Sequence, residues 1–466
     1  MREADKRIPS AEPRRFSRRR LLALGASLGL GTLALSLKGR IRGKLAAATQ
    51  LPSFTATPAL VPHDPARDRA TIHVARGGSP ADNVDQVLAK LGGIGRVVGA
   101  DDVVIVKVSA QWWNQGMTNV AAVKRLVEHV LELPGFAGEV IVFENTHFRL
   151  ADGSGLSRAW RRPSERNVDV PGWTGLGDLI GHFRDRGAPV SFVGLVDAGP
   201  SALADDAWHD PTHELGTYGG DGRGPIAPGE TRDGYRWDFE RAFRMPRSWV
   251  DEVRTPLTWP RFTSPRTGLV VDLADGVHRR DGDRLVPADR KLVWINMTTA
   301  NEHAATGFTG ACKSTMGVVD MSAGALGTHP LASGYTSVHY CGRGSPGATW
   351  RMAGPLAQLA RDVRSPDLVL LVAEWVAFEP AGWDQERADL RHAEETCLRT
   401  RTIVAGTDPV AIDTWAVKNL MMQTPSANKR ARFDLDDPDA QFTKFLRYYR
   451  QVRGSGTLAP HLIDIS

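Results

Sequence analysis

The sequence predicts an α/β protein of two lobes, with mainly parallel sheets built from βαβ units and a cleft between the lobes. Three observations carry this expectation. Val103-Val104-Ile105-Val106-Lys107-Val108 is a continuous, mostly β-branched run, the pattern of a strand buried on both faces. Val120, Val123, Leu126, Val127, Val130 and Leu131 then recur at helical spacing, behind Thr118 or Asn119 as a cap. Val140-Ile141-Val142-Phe143 supplies a second buried strand. Strand, helix and strand at this spacing make a βαβ unit with parallel strands.

Further elements follow in order. Leu176 to Arg186 reads as a helix and Val190 to Val196 as a strand. Residues 197–265 are rich in Gly, Pro and Trp and read as a long irregular insertion. Val270 to Val286 reads as a hairpin around Asp281-Gly282. Strands are expected at 291–297, 367–373 and 402–405, and a helix at 351–363. Asp408 caps a helix that carries Pro409 in its first turn. A last helix near 439–452 lines up Phe442, Phe445, Leu446, Tyr449 and Val452. The expected organisation is an N-terminal lobe over 71–290 and a C-terminal lobe over 291–466, after an irregular lead-in at 49–70.

Residues 1–48 read as a twin-arginine signal peptide. Ser17-Arg18-Arg19-Arg20-Leu21-Leu22 opens a weakly apolar stretch diluted by Gly25, Gly29 and Gly31. The expected partner is the twin-arginine translocase, and the expected location is periplasmic or extracellular. Two fates stay open: cleavage after Ala46-Ala47-Ala48, or retention as an anchor, with Lys38, Arg40, Arg42 and Lys44 in between. Contact with a membrane is expected only through an uncleaved leader.

The formal charge of +5 is concentrated there. Residues 1–50 hold 12 Lys and Arg against 3 Asp and Glu, and the remainder holds 46 against 50. The exported part is mildly acidic and offers no nucleic-acid surface. Cys312, Cys341 and Cys397 are too few for a disulfide framework, and no Cys-x-x-Cys is present to hold an iron–sulphur cluster.

The densest polar constellation is Asn301-Glu302-His303-Ala304-Ala305-Thr306-Gly307-Phe308-Thr309-Gly310-Ala311-Cys312-Lys313-Ser314. It follows a buried-type strand, where open α/β sheets bind ligands. A nucleotide phosphate loop would need glycine in place of Cys312, so a generic anion-binding loop is the preferred reading. A lysine in such a loop can also be desolvated and act as a nucleophile. His147 stands at the end of the second strand, and His329 lies beyond Lys313. His209, His213 and Glu214, like His339 with Cys341, are weaker candidates for metal. The tryptophans of the first half, Trp173, Trp237 and Trp259 among them, are read as core by default.

Lys107, the block from His303 through Gly317, and Ala405-Gly406-Thr407-Asp408-Pro409-Val410-Ala411-Ile412-Asp413 together resemble the family known as domain of unknown function 362 over most of residues 100–420. Members of that family are sometimes fused to iron–sulphur modules. More distantly, His303-x-x-x-Gly307-Phe308-Thr309-Gly310-x-x-Lys313-Ser314 is similar to the cofactor loop of the lactate racemase family. That resemblance implies a nickel-pincer nucleotide carried on Lys313 and cradled by Gly307, Thr309, Gly310 and Ser314. It implies His329 as nickel ligand, with His147 and His303 as acid/base residues on either side of a substrate carbon. Ala311-Cys312 and Met316-Gly317 depart from that family's pattern. The expected function is an exported, cofactor- or metal-dependent enzyme acting on a small anionic or hydroxylated molecule, by epimerisation or redox change. The alternative is a non-catalytic, anion-binding or iron–sulphur-associated accessory protein.

Overall fold

A computed structural model describes residues 61–110, 116–145, 167–195, 234–248, 251–303, 305–320, 338, 341, 349–378 and 397–466. The chain enters through strand β1 (Ala70–Arg76) and helix α1 (Pro80–Leu91). Ser79 and Asp82 form a reciprocal capping box at the start of α1, and Gly92 ends it in the left-handed region at φ 92°. Then come β2 (Val103–Val108), α2 (Val120–Leu131) and β3 (Glu139–Asn145), the expected βαβ unit. Asn119 caps α2 by accepting a hydrogen bond from the Ala122 amide. Helix α3 (Leu176–Arg184) and β4 (Val190–Leu195) follow.

Two long strands, β5 (Gly234–Ser248) and β6 (Asp251–Thr263), form an antiparallel hairpin within the segment expected to be irregular. Three short strands complete a five-stranded antiparallel sheet: β7 (Val270–Asp272), β8 (Gly276–Asp281) and β9 (Arg284–Pro287). The turn between β8 and β9 is Gly282-Asp283, one residue on from the expected Asp281-Gly282, with Gly282 at φ 57°. Trp237 and Trp259 are buried in this region, donating to Asp320 and Asp272.

The chain then runs through β10 (Leu292–His303), β11 (Gly307–Thr309) and the single-turn helix α4 (Ala311–Ser314). After α5 (Ala353–Asp362) come β12 (Leu368–Ala377) and β13 (Cys397–Gly406). Three helices follow, α6 (Pro409–Asn419), α7 (Ala427–Phe433) and α8 (Gln441–Arg453), before the short edge strand β14 (Ile463–Ile465). Asp408 caps α6 by accepting from the Val410 amide.

The large sheet has nine strands, in the order β14-β1-β13-β12-β10-β2-β3-β4, with β11 folded back on β10. The pairs from β12 through β10, β2 and β3 to β4 are all parallel, and β13 is antiparallel to both neighbours. The fold is therefore α/β with a mainly parallel sheet. The expected division into lobes at residue 290 is not what the chain does. β10 pairs directly with β2, β1 pairs with β13, and the described residues all fall in one compact unit, Thr57–Ser466. The reason is combinatorial: a strand buried on both faces does not announce which distant strand it will pair with.

Alternation along each strand sends side chains to two cores. Val104, Val106, Val140 and Val142 pack with α1, α2 and α3 on one face of the sheet. Val103, Ile105, Ile141 and Phe143 pack on the other, with α5, α6, α8 and the small sheet. Each core side chain buried there contributes about 1.5–3 kcal/mol relative to exposure. Among the described residues, no helix is long and apolar enough to cross a membrane. Residues 1–48, with the twin-arginine segment, lie outside the described residues.

Candidate functional site

β2 leads outward to β3 and β4, whereas β12 lies on the opposite side of β10. Strand order thus reverses between β2 and β10, and the crevice beyond the carboxyl ends of such strands is where open α/β sheets take ligands. In this position lies a small cavity of about 30 Å³. Its walls come from several elements: Lys107 on β2, Glu144 on β3, Thr299 and Asn301 on β10, and Lys313 just after β11. Each of these five side chains is almost wholly buried. The enclosed part takes one functional group, or a water or two, and the pocket is open beyond it, so the rest of a small ligand can extend outward.

Lys107 and Glu144 form a buried ion pair, with Nζ 3.5 Å from Oε2. The carboxylate also accepts the amides of Ala110 and Asn145, each at 3.0 Å. Burial pushes the Lys107 ammonium down from its ordinary pKa while Glu144 opposes the fall. Burial likewise pushes Glu144 up, against the pull of Lys107 and the two amides. Gly317 packs on this pair. A Cβ there would come within 2.2 Å of Glu144 Oε1 and 2.3 Å of Lys107 Cε, so only glycine permits the approach.

The segment that brings Lys313 to the cavity is fastened on three sides. β10 turns back through Gly307, at φ 91°, into β11. Asn296 Nδ2 donates to Ala311 O at 3.2 Å and to Ser314 Oγ at 2.8 Å. Thr298 Oγ1 donates to Gly310 O at 3.2 Å. From behind, Asp413 of α6 accepts the amides of Ala311 at 2.6 Å and Cys312 at 3.0 Å. Burial raises the Asp413 carboxyl to about 7, although both amides oppose it. A Cβ on Gly310 would lie 2.2 Å from Asp413 Oδ1. Burial, together with Asp413, also pushes the Cys312 thiol far up, which leaves it a poor nucleophile.

The sequence profile of a family described as Domain of unknown function (DUF362) matches residues 286–445. The chain carries a DUF362 domain. No curated protein matches the chain. No solved structure matches it.

The match is narrower at its N-terminal end than the resemblance over 100–420 suggested. The DUF362 segment contains Thr299, Asn301 and Lys313, whereas Lys107 and Glu144 lie outside it and reach the same cavity through β2 and β3. Of the residues expected to bind a cofactor, Lys313, Thr309 and Ser314 line the cavity, and Gly307 and Gly310 shape the backbone around it. Two backbone amides of that loop are not available to a bound anion. The first two amides of α4, those of Ala311 and Cys312, are already taken by Asp413.

His303 ends β10 and is half-buried. Its Nδ1 accepts the amides of Ala305 and Thr306, each at 3.2 Å, so that nitrogen is committed to the turn. Its neighbour Glu302 pairs with Lys429 at 2.9 Å and with Arg432. His147, His329, His209, His213, Glu214 and His339 lie outside the described residues. Among the described residues, no three His, Cys, Asp or Glu side chains are grouped to hold a metal. The enclosed part of the pocket, about 30 Å³, would hold only a fragment of a nucleotide cofactor. Glu144 and Thr299 are the residues that sequence reasoning missed. The available signal for Glu144 was an acid directly after the apolar run Val140-Ile141-Val142-Phe143.

Proposed function

We propose that this protein is exported by the twin-arginine route and acts outside the cytoplasm on a small hydroxylated anion bound in the cavity between β2 and β10. Lys313 supplies positive charge to that ligand. The single observation that carries this reading is the burial of Lys313 and Lys107 in one cavity, at the point where strand order reverses. Lys107 with Glu144 is neutral as a pair, and the buried Lys313 side chain brings the charge that draws an anionic group. The paired arginines near the N-terminus support export. The resemblance to the lactate racemases supports an epimerase-like or redox reaction at a hydroxylated carbon, with His147 and His303 as the residues to test for proton transfer.

A second reading, a non-catalytic anion-binding or iron–sulphur-associated protein, is favoured by the commitment of His303 Nδ1 to its turn. Intact mass and metal analysis separate the two. Wild type and Lys313→Ala are expressed in a host that makes the nickel-pincer nucleotide. A Lys313-dependent adduct with nickel supports the enzyme. A bare polypeptide mass in both, with small carboxylates still bound by the wild type only, moves the assignment to the binding protein. Wild type that binds no small anion at all refutes the site.

A further inference from the structure

Three buried polar groups around the cavity are left with unused hydrogen-bonding capacity. Among the described residues, Thr299 Oγ1 has no hydrogen-bond partner, and neither has Asn301 Oδ1. Thr299 is 1% exposed and Asn301 2%. Lys107 carries three N–H donors, and among the described residues its one partner is Glu144 at 3.5 Å. Orphaned buried groups are rare in folded proteins, and each leaves its desolvation cost of about 1–3 kcal/mol uncompensated. Here two meet in one small pocket, beside an ammonium with donors to spare.

Their chemistry limits what completes them. The Lys107 ammonium can only donate. The Asn301 carbonyl oxygen can only accept, because its amide nitrogen is already turned to Gly116 O at 3.1 Å. The Thr299 hydroxyl can do either. The pair of Lys107 and Glu144 is neutral as a unit, whichever of the two holds the shared proton. The group that satisfies all three therefore accepts at one point and donates at another. A hydroxyl does so with a single oxygen. A carboxylate cannot donate, and an ammonium cannot accept.

We propose that Lys107, Thr299 and Asn301 form a subsite for a ligand hydroxyl, with Glu144 as the positioning residue that holds Lys107 in place. The hydroxyl oxygen accepts from Lys107 Nζ and its hydrogen goes to Asn301 Oδ1. Thr299 Oγ1 closes the ring of contacts. The subsite assigns a function to Lys107, Glu144 and Thr299. It rests on the proposed function, in which Lys313 serves the ligand's charged end. A water filling the same space is the competing account, and it predicts no preference for hydroxylated ligands.

The test is binding of glycolate and acetate, two probes that differ by one hydroxyl, measured by calorimetry or ligand-observed NMR on the full mature chain. Wild type is expected to bind glycolate about tenfold or more tightly than acetate, the value of a hydrogen-bonded hydroxyl in a buried site. Thr299→Val is expected to cut that ratio while leaving acetate binding unchanged. Its apo form is expected to be no less stable than wild type, because the hydroxyl removed has no partner among the described residues. Lys107→Met and Asn301→Leu bring the ratio towards one, and Glu144→Gln lowers it in part. Equal binding of the two probes, still lost in Lys313→Met, overturns the subsite and leaves the proposed function standing. Absence of binding by both probes overturns both. Lower apo stability of Thr299→Val with an unchanged ratio marks the hydroxyl as structural and also overturns the subsite.

Discussion

Asp413 lies in the middle of α6, yet its carboxylate serves another helix, accepting the first two amides of α4 behind Lys313. Its carboxyl is raised to about 7, above the value of an unfolded aspartate, so folding favours its protonated form. The contribution to stability is complete below about pH 4 and is lost as pH rises through about 7, an effect of up to a few kcal/mol. Urea unfolding at several pH values should show that decline, and Asp413→Asn should flatten it. An unchanged slope in the variant would remove Asp413 as the cause. Asp68 acts at the other end of the scale. Burial alone would raise it, but the hydrogen bond from Arg67, the Asp64 amide and Arg450 bring it down to about 2. Its contribution is present above about pH 4 and is lost as pH falls through about 2. Asp68→Asn should therefore weaken the protein at neutral pH and narrow the difference from wild type in strong acid.

Close packing explains which elements could be read from the residues. β2, α2 and β3 were legible because each buries a face in a pattern that depends only on its own period. The long hairpin of β5 and β6 was hidden by Pro256 and Pro260, which argue against a strand, and by its many arginines. The second half of β10, Thr298 to His303, read as a loop because it is mostly polar. Those polar side chains are buried to hold the lysine segment and to line the cavity. The same logic hid part of the site. Lys313 stood in a visible cluster and Lys107 in a recognisable motif, whereas Glu144 and Thr299 look like ordinary strand residues until β2, β3 and β10 are laid side by side. Two substitutions test the local design. Gly310→Ala places a methyl group against Asp413 and is expected to cost about 1–3 kcal/mol in denaturant unfolding. Asn119→Ala removes the α2 cap and is expected to cost about 1 kcal/mol. A neutral result at Gly310 would mean that the α4 segment can move away from α6.

The molecule as a whole is held by contacts that span almost its full described length. Arg450 on α8 pairs with Asp68 ahead of β1 at 2.7 Å, with both side chains buried, and its guanidinium also donates to the carbonyls of Val61 and Pro62. Breaking one side of such a pair leaves an uncompensated charge. Arg450→Met is expected to cost about 3–5 kcal/mol, read as a loss of cooperative unfolding midpoint. The large sheet shows the same long reach. Ile72 of β1 stands opposite Gly406 of β13 on one side and Ile465 of β14 on the other. A nascent polypeptide that stops anywhere before residue 397 therefore carries β1 with neither neighbour, two bare edges available to any other extended chain. The first described strand is among the last to be enclosed, so an incomplete copy exposes itself by an open flank that a longer one covers.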